Sequence, residues 1–386
     1  MFSFQLNDLL QPELTEVNRM PMRIPLEPYR SLEEAKGGGL SNRRISLDGK
    51  WRFQLIRTPK NAPKEWVYNY FDDSTWELIT VPGSWTRQNK GDHPHYTNIV
   101  MPWEGLEPPE IPEENPTGLY RKSFDLPLEW KSKRVTIQIE GSESMVLLWC
   151  NGSFVGMGKD SRLPSEFDLT PYLRNSNNIL SVMVPRWSDG TWIEDQDHWF
   201  HGGLHRSVFI ESRDPIHISD LNVVADYDSQ AQTGRLKAIS SISERCEGWF
   251  INARLETLSG KLIEEITNLP IQKQVDGSPL QKLLGAYQFE GLKSNANFEN
   301  LNVIPWSSES PELYLLFVSL FDTHGTCQEV LRERIGFRRV EIESNELRIN
   351  GKPIVLYGVN RHDHHPVTGK TLKIDEIEAE LLAMKK

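Results

Sequence analysis

The chain has 386 residues, 38% hydrophobic and 10% aromatic, which suits two or three domains with sizeable cores. Its 43 Lys and Arg stand against 54 Asp and Glu, a formal net charge of -11 that disfavours nucleic acid or an anionic membrane as a partner and suits a neutral one such as a sugar. Three widely spaced cysteines, Cys150, Cys246 and Cys327, suggest neither a disulfide framework nor a zinc signature and point to a reducing cytoplasm. The opening Met1-Phe-Ser-Phe-Gln-Leu-Asn-Asp has no basic region followed by an apolar stretch. No later stretch approaches the roughly 18 apolar residues of a membrane span, so a soluble, unexported protein is expected.

In chain order, residues 1–40 are rich in prolines and charges and end in Gly37-Gly38-Gly39, which predicts an irregular arm rather than a core element. From near Ile45, short β-branched and aromatic runs recur at 51–55, 135–140, 146–149, 179–184 and 207–211, and the alternation in Val135-Thr-Ile-Gln-Ile139 predicts half-buried antiparallel strands. Long loops separate them at 83–118 and 188–205; their aromatic residues argue for function rather than disorder. A jelly-roll sandwich with elaborate loops over 41–213 is the reading. Beyond Pro215, weaker runs at 221–225, 236–242, 249–255, 313–321 and 328–335 predict an immunoglobulin-like sandwich over 214–336. Residues 337–386 change character. Two predicted strands at 347–350 and 354–357 precede a helical pattern with Ile377, Leu381 and Met384 on one face, the first unit of a TIM (β/α)8 barrel that needs eight. The fold class is thus mainly β, with a barrel begun and not completed.

Three features could carry chemistry. Glu194, Asp195 and Asp197 lie between Trp192 and Trp199. Composition alone makes this a solvated acidic loop. Tryptophan faces stack on the apolar faces of sugar rings, however, and carboxylates accept hydroxyl hydrogen bonds or bind a cation, so the loop also has the inventory of a carbohydrate site. In the run His362-Asp-His-His365, extended backbone would put His362 and His364 on one side. That is either a metal edge or a polar strand end whose imidazoles bond hydroxyls and carbonyls, and the want of a further marked ligand favours the second. Such a run at the carboxyl end of a barrel strand would face an active-site mouth. Asn98, in Tyr96-Thr97-Asn98, reads by itself as a turn residue.

Five segments occur in an order that resembles the β-galactosidases of glycoside hydrolase family 2: Asn115-Pro-Thr-Gly-Leu-Tyr120, Trp149-Cys-Asn-Gly-Ser-Phe-Val-Gly156, Asp160-Ser-Arg-Leu-Pro-Ser-Glu-Phe-Asp168, the acidic loop from Glu194 to Asp197, and Gly358-Val-Asn-Arg-His-Asp-His-His-Pro366. The likeness covers about residues 45–386. It implies that the jelly-roll sandwich is galactose-binding-like, and hydrolysis of terminal β-galactose from β-galactosides such as lactose. Asn98 and Asp197 would bind galactose hydroxyls, Asp197 would also be a sodium ligand, and His362 would stabilise the transition state. Asp363 stands where better-known members carry Glu, which leaves its local hydrogen bonds open. Magnesium and sodium serve the complete enzyme, by the same likeness, and a homo-oligomer is implied.

A retaining glycosidase needs two carboxyl groups about 5 Å apart. The likeness places both, as glutamates, on later barrel strands, and none of those positions occurs before Lys386. The 386 residues alone are therefore expected to be inactive, as a piece of a β-galactosidase. The alternatives are a stand-alone galactose-binding module and one subunit of a split enzyme whose complementing chain supplies the remaining barrel. Glu194 with Asp197 as a substitute catalytic pair is disfavoured, since both match binding positions.

Overall fold

In the structure, a computed structural model that describes residues 6–39, 41–97, 101, 103–194, 196–276 and 289–386, the alternating run at 135–139 becomes the strand Arg134–Ile139. Val135, Ile137 and Ile139 enter the core on one face, as a two-residue side-chain period requires, but Thr136 and Gln138 on the other face are buried too, so the strand is covered on both sides rather than half-buried. The chain forms two units, one of Met1–Met22, Arg44–Ser212 and Asn360–Lys386, the other of Arg23–Arg43 and Arg213–Val359.

The first unit is a sandwich. One sheet has seven strands in the order Glu16–Val17, Ser153–Lys159, Met145–Cys150, Asn178–Pro185, Thr117–Phe124, Gly49–Ile56 and Glu77–Val81. The other runs Ser165–Asp168, Arg134–Ile139, Val208–Arg213, Arg44–Ser46. Trp51, Phe53, Trp85, Tyr120, Phe167 and Leu180 fill the space between them. Here Gly202 must lack a side chain, because a Cβ would overlap the buried Trp85 indole. Gly202→Ala is expected to cost about 1–3 kcal/mol through overpacking, read by urea unfolding.

The second unit is a smaller sandwich. Ile218–Asp228, Thr233–Ile242, Phe289–Leu301 and Gln272–Asp276 form one sheet. Leu262–Pro270, Phe250–Thr257, Tyr314–Phe321, Cys327–Ile335 and Pro28–Tyr29 form the other. A buried ion pair joins Arg213 to Glu329, and Glu329 also accepts from the Ile218 amide at 3.0 Å. A three-stranded meander, Val340–Glu343, Glu346–Ile349, Lys352–Pro353, follows.

Two expectations are corrected. The amino-terminal arm does enter the cores. Glu16–Val17 extends the seven-stranded sheet and Pro28–Tyr29 pairs with Cys327–Ile335. Leu9, Leu26 and Ala35 are buried, and Ser31 caps the short helix Leu32–Gly37 by accepting from the Glu34 amide at 3.2 Å. Isolated apolar residues in a proline-rich stretch give no periodicity, yet each fills a place left by the sheets. Conversely, residues 354–357 form no strand. Val355, Leu356 and Tyr357 stand exposed, because a parallel barrel strand is held by hydrogen bonds from strands on both sides, and past the Ile354 amide, which donates to the Leu347 carbonyl at 3.0 Å, no described strand pairs with this run. The predicted helix does form, as Ile374–Lys385.

Among the described residues no helix is long and apolar enough to cross a membrane. The three cysteines are free; burial pushes the Cys150 thiol up to about 12, leaving it inert at neutral pH.

Candidate functional site

Two long loops of the first unit are locked together before they present any chemistry. Asn115, buried, clasps the backbone of Trp187, donating to its carbonyl and accepting from its amide at 2.9 Å each. Arg186, fully buried, pairs with Asp92 and donates to the His93 carbonyl at 2.8 Å; Asp92 also accepts from the Trp85 indole at 2.8 Å. Beyond this clasp, His198–Phe200 pairs antiparallel with His95–Thr97. Register places Trp199 opposite Tyr96, their rings 5.4 Å apart, and the Tyr96 hydroxyl donates to Asp197.

Alternation along His198–Phe200 turns His198 and Phe200 inward. His198 donates from Nδ1 to the Trp199 carbonyl at 3.0 Å, and its Nε2 accepts from Arg162 at 2.6 Å. These partners specify the neutral tautomer with the proton on Nδ1. Burial, then the charges of Lys370 and Arg162, holds its pKa down at about 4.

Residues 360–373 lie over this surface. His362 stands edge-on to His198, ring centroids 5.6 Å apart. His364 stacks on His201 at 5.3 Å, with Nε2 to Nε2 at 3.1 Å, while His201 Nδ1 meets the Thr86 hydroxyl at 2.9 Å. Lys370 reaches down to Glu143, Nζ to Oε1 2.7 Å, and Glu143 Oε2 accepts from the His201 amide at 3.1 Å. Thr371 donates to the His205 carbonyl at 3.2 Å, and Arg87 donates to the Val367 carbonyl at 3.0 Å. Gly369 takes φ +67° against the His201 ring, where a side chain would be both strained and crowded.

Burial opposes ionisation of Glu143, but the Lys370 ammonium, then His205, outweighs it and holds the carboxyl down at about 2. Burial likewise keeps His201 neutral, with its pKa near 3, and His205 neutral, near 4. The result is a pocket of about 240 Å³ lined by Arg162, Gln196, His198, Arg206, His362 and Lys370, among others.

The expected site residues fare differently. His362 stands on the pocket wall, whereas Asp197 does not line it: its neighbour Gln196 does, and Asp197 turns to the Tyr96 hydroxyl. Asn98 and Asp195 lie outside the described residues. Glu194 parts company with Asp197, accepting from the Ser161 amide at 2.8 Å and from the Ser161 hydroxyl. Asp363 pairs with Arg361, which also binds Glu380, so its departure from the family pattern is absorbed by a local ion-pair network. His362 and His364 make separate contacts and form no shared metal edge. Among the described residues no group of three or more His, Cys, Asp or Glu converges as a metal site. Asp197 spends Oδ1 on the Tyr96 hydroxyl, and its Oδ2 makes no hydrogen bond among the described residues. Sequence reasoning missed Glu143 and Lys370, whose 227-residue separation carries no local signal. It also missed His201 and His205, which stand among the last residues of a long loop that it did single out.

The fold and site define a modular β protein in which a jelly-roll sandwich presents a tryptophan-framed polar loop, followed by an immunoglobulin-like sandwich and the opening of a barrel. Residues 45–213 match the glycosyl hydrolases family 2 sugar binding domain, 216–338 the glycosyl hydrolases family 2 domain between, and 340–386 the family's TIM barrel domain. The chain belongs to glycosyl hydrolase family 2. It is similar to a β-galactosidase of Psychromonas ingrahamii, 35% identical over 97% of this chain and 35% of the relative. It is also similar to one of Halalkalibacterium halodurans, 38% identical over 96% of this chain and 35% of the relative. It thus spans about a third of the length of these relatives. Solved structures share the fold: Bacteroides uniformis β-glucuronidase, at TM-score 0.69 and 19% identity, is covered over 38% of its chain by 89% of this one. Bifidobacterium dentium β-glucuronidase, at 0.68 and 17%, is covered over 56% of its chain by 90% of this one.

Proposed function

We propose that these 386 residues form the galactose-recognising wall of a β-galactosidase. The observation that carries this is the meeting, on one pocket of the first unit, of the acidic loop and the segment holding His362. The named activity of the relatives supports the choice of sugar. In this reading Asp197, already aligned by Tyr96, accepts hydrogen bonds from sugar hydroxyls. Neutral His198 fixes the face on which His362 stands, and Trp199 with Tyr96 offers the ring an apolar surface.

The cleaving step belongs to other carboxylates. Glu143 is bound to Lys370, Asp363 to Arg361, and Glu194 to Ser161 through both oxygens. None of these is free to act as the acid or the nucleophile of a retaining pair. Lactose hydrolysis is therefore expected when a polypeptide bearing the remaining barrel strands, with two free carboxylates, is joined to or mixed with this chain.

The test is calorimetric titration with galactose. Asp197→Ala is expected to weaken binding about 10- to 100-fold, the loss of charge-assisted hydrogen bonds worth about 1.5–3 kcal/mol. Galactose affinity unchanged by Asp197→Ala would refute the assignment.

A further inference from the structure

The loop from Trp187 to Trp199 contributes to two pockets that share no lining residue, and the site above uses one. The other, within the first unit, is a larger cavity of about 620 Å³ walled by Trp192, Ile193, Met22 and Pro108–Pro109, with Asp160 and Glu194 at its edge. Ile193 is 88% exposed there and Met22 45%, apolar surface that packs against nothing.

The chemistry of the lining selects a neutral ligand. On the floor, Lys159 and Asp189 form a buried pair at 2.8 Å, and Lys159 also donates to the Gln11 carbonyl at 2.9 Å. Arg19 is held by Glu16 at 2.7 Å and by the Lys159 carbonyl at 3.1 Å. Every cation of the lining is thus already engaged, and an anion would find no free counter-charge. Trp192, by contrast, is a prepared platform. Its indole N–H donates to the Glu110 carbonyl at 2.8 Å, and its ring packs against Trp103, centroids 5.5 Å apart and nearly perpendicular. Asp160 uses Oδ1 for the Arg162 and Leu163 amides at 2.8 and 2.9 Å, and its Oδ2 makes no hydrogen bond among the described residues. A fixed aromatic face beside a free carboxylate oxygen is what a sugar ring with one apolar face and equatorial hydroxyls requires.

We propose that this cavity is a second carbohydrate site, for a neutral mono- or disaccharide, standing back to back with the first across the loop. It is independent of the galactose site and survives if that reading fails.

The test uses the 386-residue chain with lactose as the probe, by calorimetry and saturation-transfer NMR. Two lactose sites per chain are expected. Ile193→Arg, at a position too exposed to matter for folding, fills the cavity mouth and removes one of them; Trp192→Ala removes the same one. Asp197→Ala weakens the other and leaves the Ile193-sensitive site intact. The proposal is overturned if Ile193→Arg leaves lactose stoichiometry and affinity unchanged, or if Asp197→Ala alone abolishes all binding. Loss confined to the Asp197-sensitive site would bear only on the galactose reading.

Discussion

Lys370→Met is expected to destabilise the first unit by about 3–5 kcal/mol, because it strands the Glu143 carboxylate in the interior. The side chains of the pair are 13% and 5% exposed. Among the described residues no other cation bonds the Glu143 carboxylate, which keeps the His201 amide as its remaining donor. The double variant Glu143→Met with Lys370→Met is expected to recover more than half of the loss, since two well-packed apolar side chains carry no desolvation penalty. Urea unfolding followed by tryptophan fluorescence is the measurement. It reports chiefly this unit, which holds ten of the twelve tryptophans. A loss below about 1 kcal/mol would put the pair level with an exposed one such as Arg57 and Glu114, and would sink the claim that it anchors residues 360–373.

Acid is expected to undo the same surface in two stages. His201 and His205 titrate near 3 and 4 in the folded chain, held down by burial, whereas an unfolded histidine titrates near 6.5. Above pH 6.5 both states are neutral and stability is complete. As pH falls below 6.5 the unfolded chain takes up protons that the folded chain refuses. Stability is then lost by about 1.4 kcal/mol per pH unit for each such proton, until the folded values are reached. Glu143 adds a lower window of the same sign: its stabilisation is present above about 4.5 and is lost as pH drops toward 2. The thermal midpoint of the tryptophan signal should therefore fall steeply between pH 6.5 and 4.5, and His201→Gln should reduce that slope by one proton's worth. A flat midpoint across this range would show that the imidazoles are not held neutral. The groups facing His201 are Glu143, Lys370, His364 and Arg87, so the variant changes no other ionisable partner directly.

What could be read from sequence divides by range. The run at 135–139 declares a strand because each residue's side depends only on its neighbours. The helix at 374–385 declares itself for the same reason at a period of 3.6. The run at 354–357 misleads by that logic: its local pattern is strand-like, but a strand is completed only by partners, and none stands beside it among the described residues. The amino-terminal arm misleads in the opposite sense. Leu26 and Ala35 have no periodic company, yet each closes a core that distant strands have already built.

The site divides in the same way. Asp197 and His362 drew notice because each sits in a dense motif that resembles a family 2 landmark, and the structure sets His362 on the pocket wall. The separation of Glu194 from Asp197 was not legible, since side chains only three positions apart find different partners, Ser161 for the one and Tyr96 for the other.

By itself, then, the sequence determined the family, the order of the two sandwiches and the barrel opening, and marked the loop and the histidine run whose residues line one pocket, because these are recorded in residue type and short-range spacing. The tertiary structure alone decided that Lys370 neutralises Glu143, that burial keeps His198, His201 and His205 uncharged at neutral pH, and that the loop lines two separate pockets. Burial and Coulomb interaction depend on distance in space, and residues 227 positions apart in sequence become neighbours only when the chain has folded.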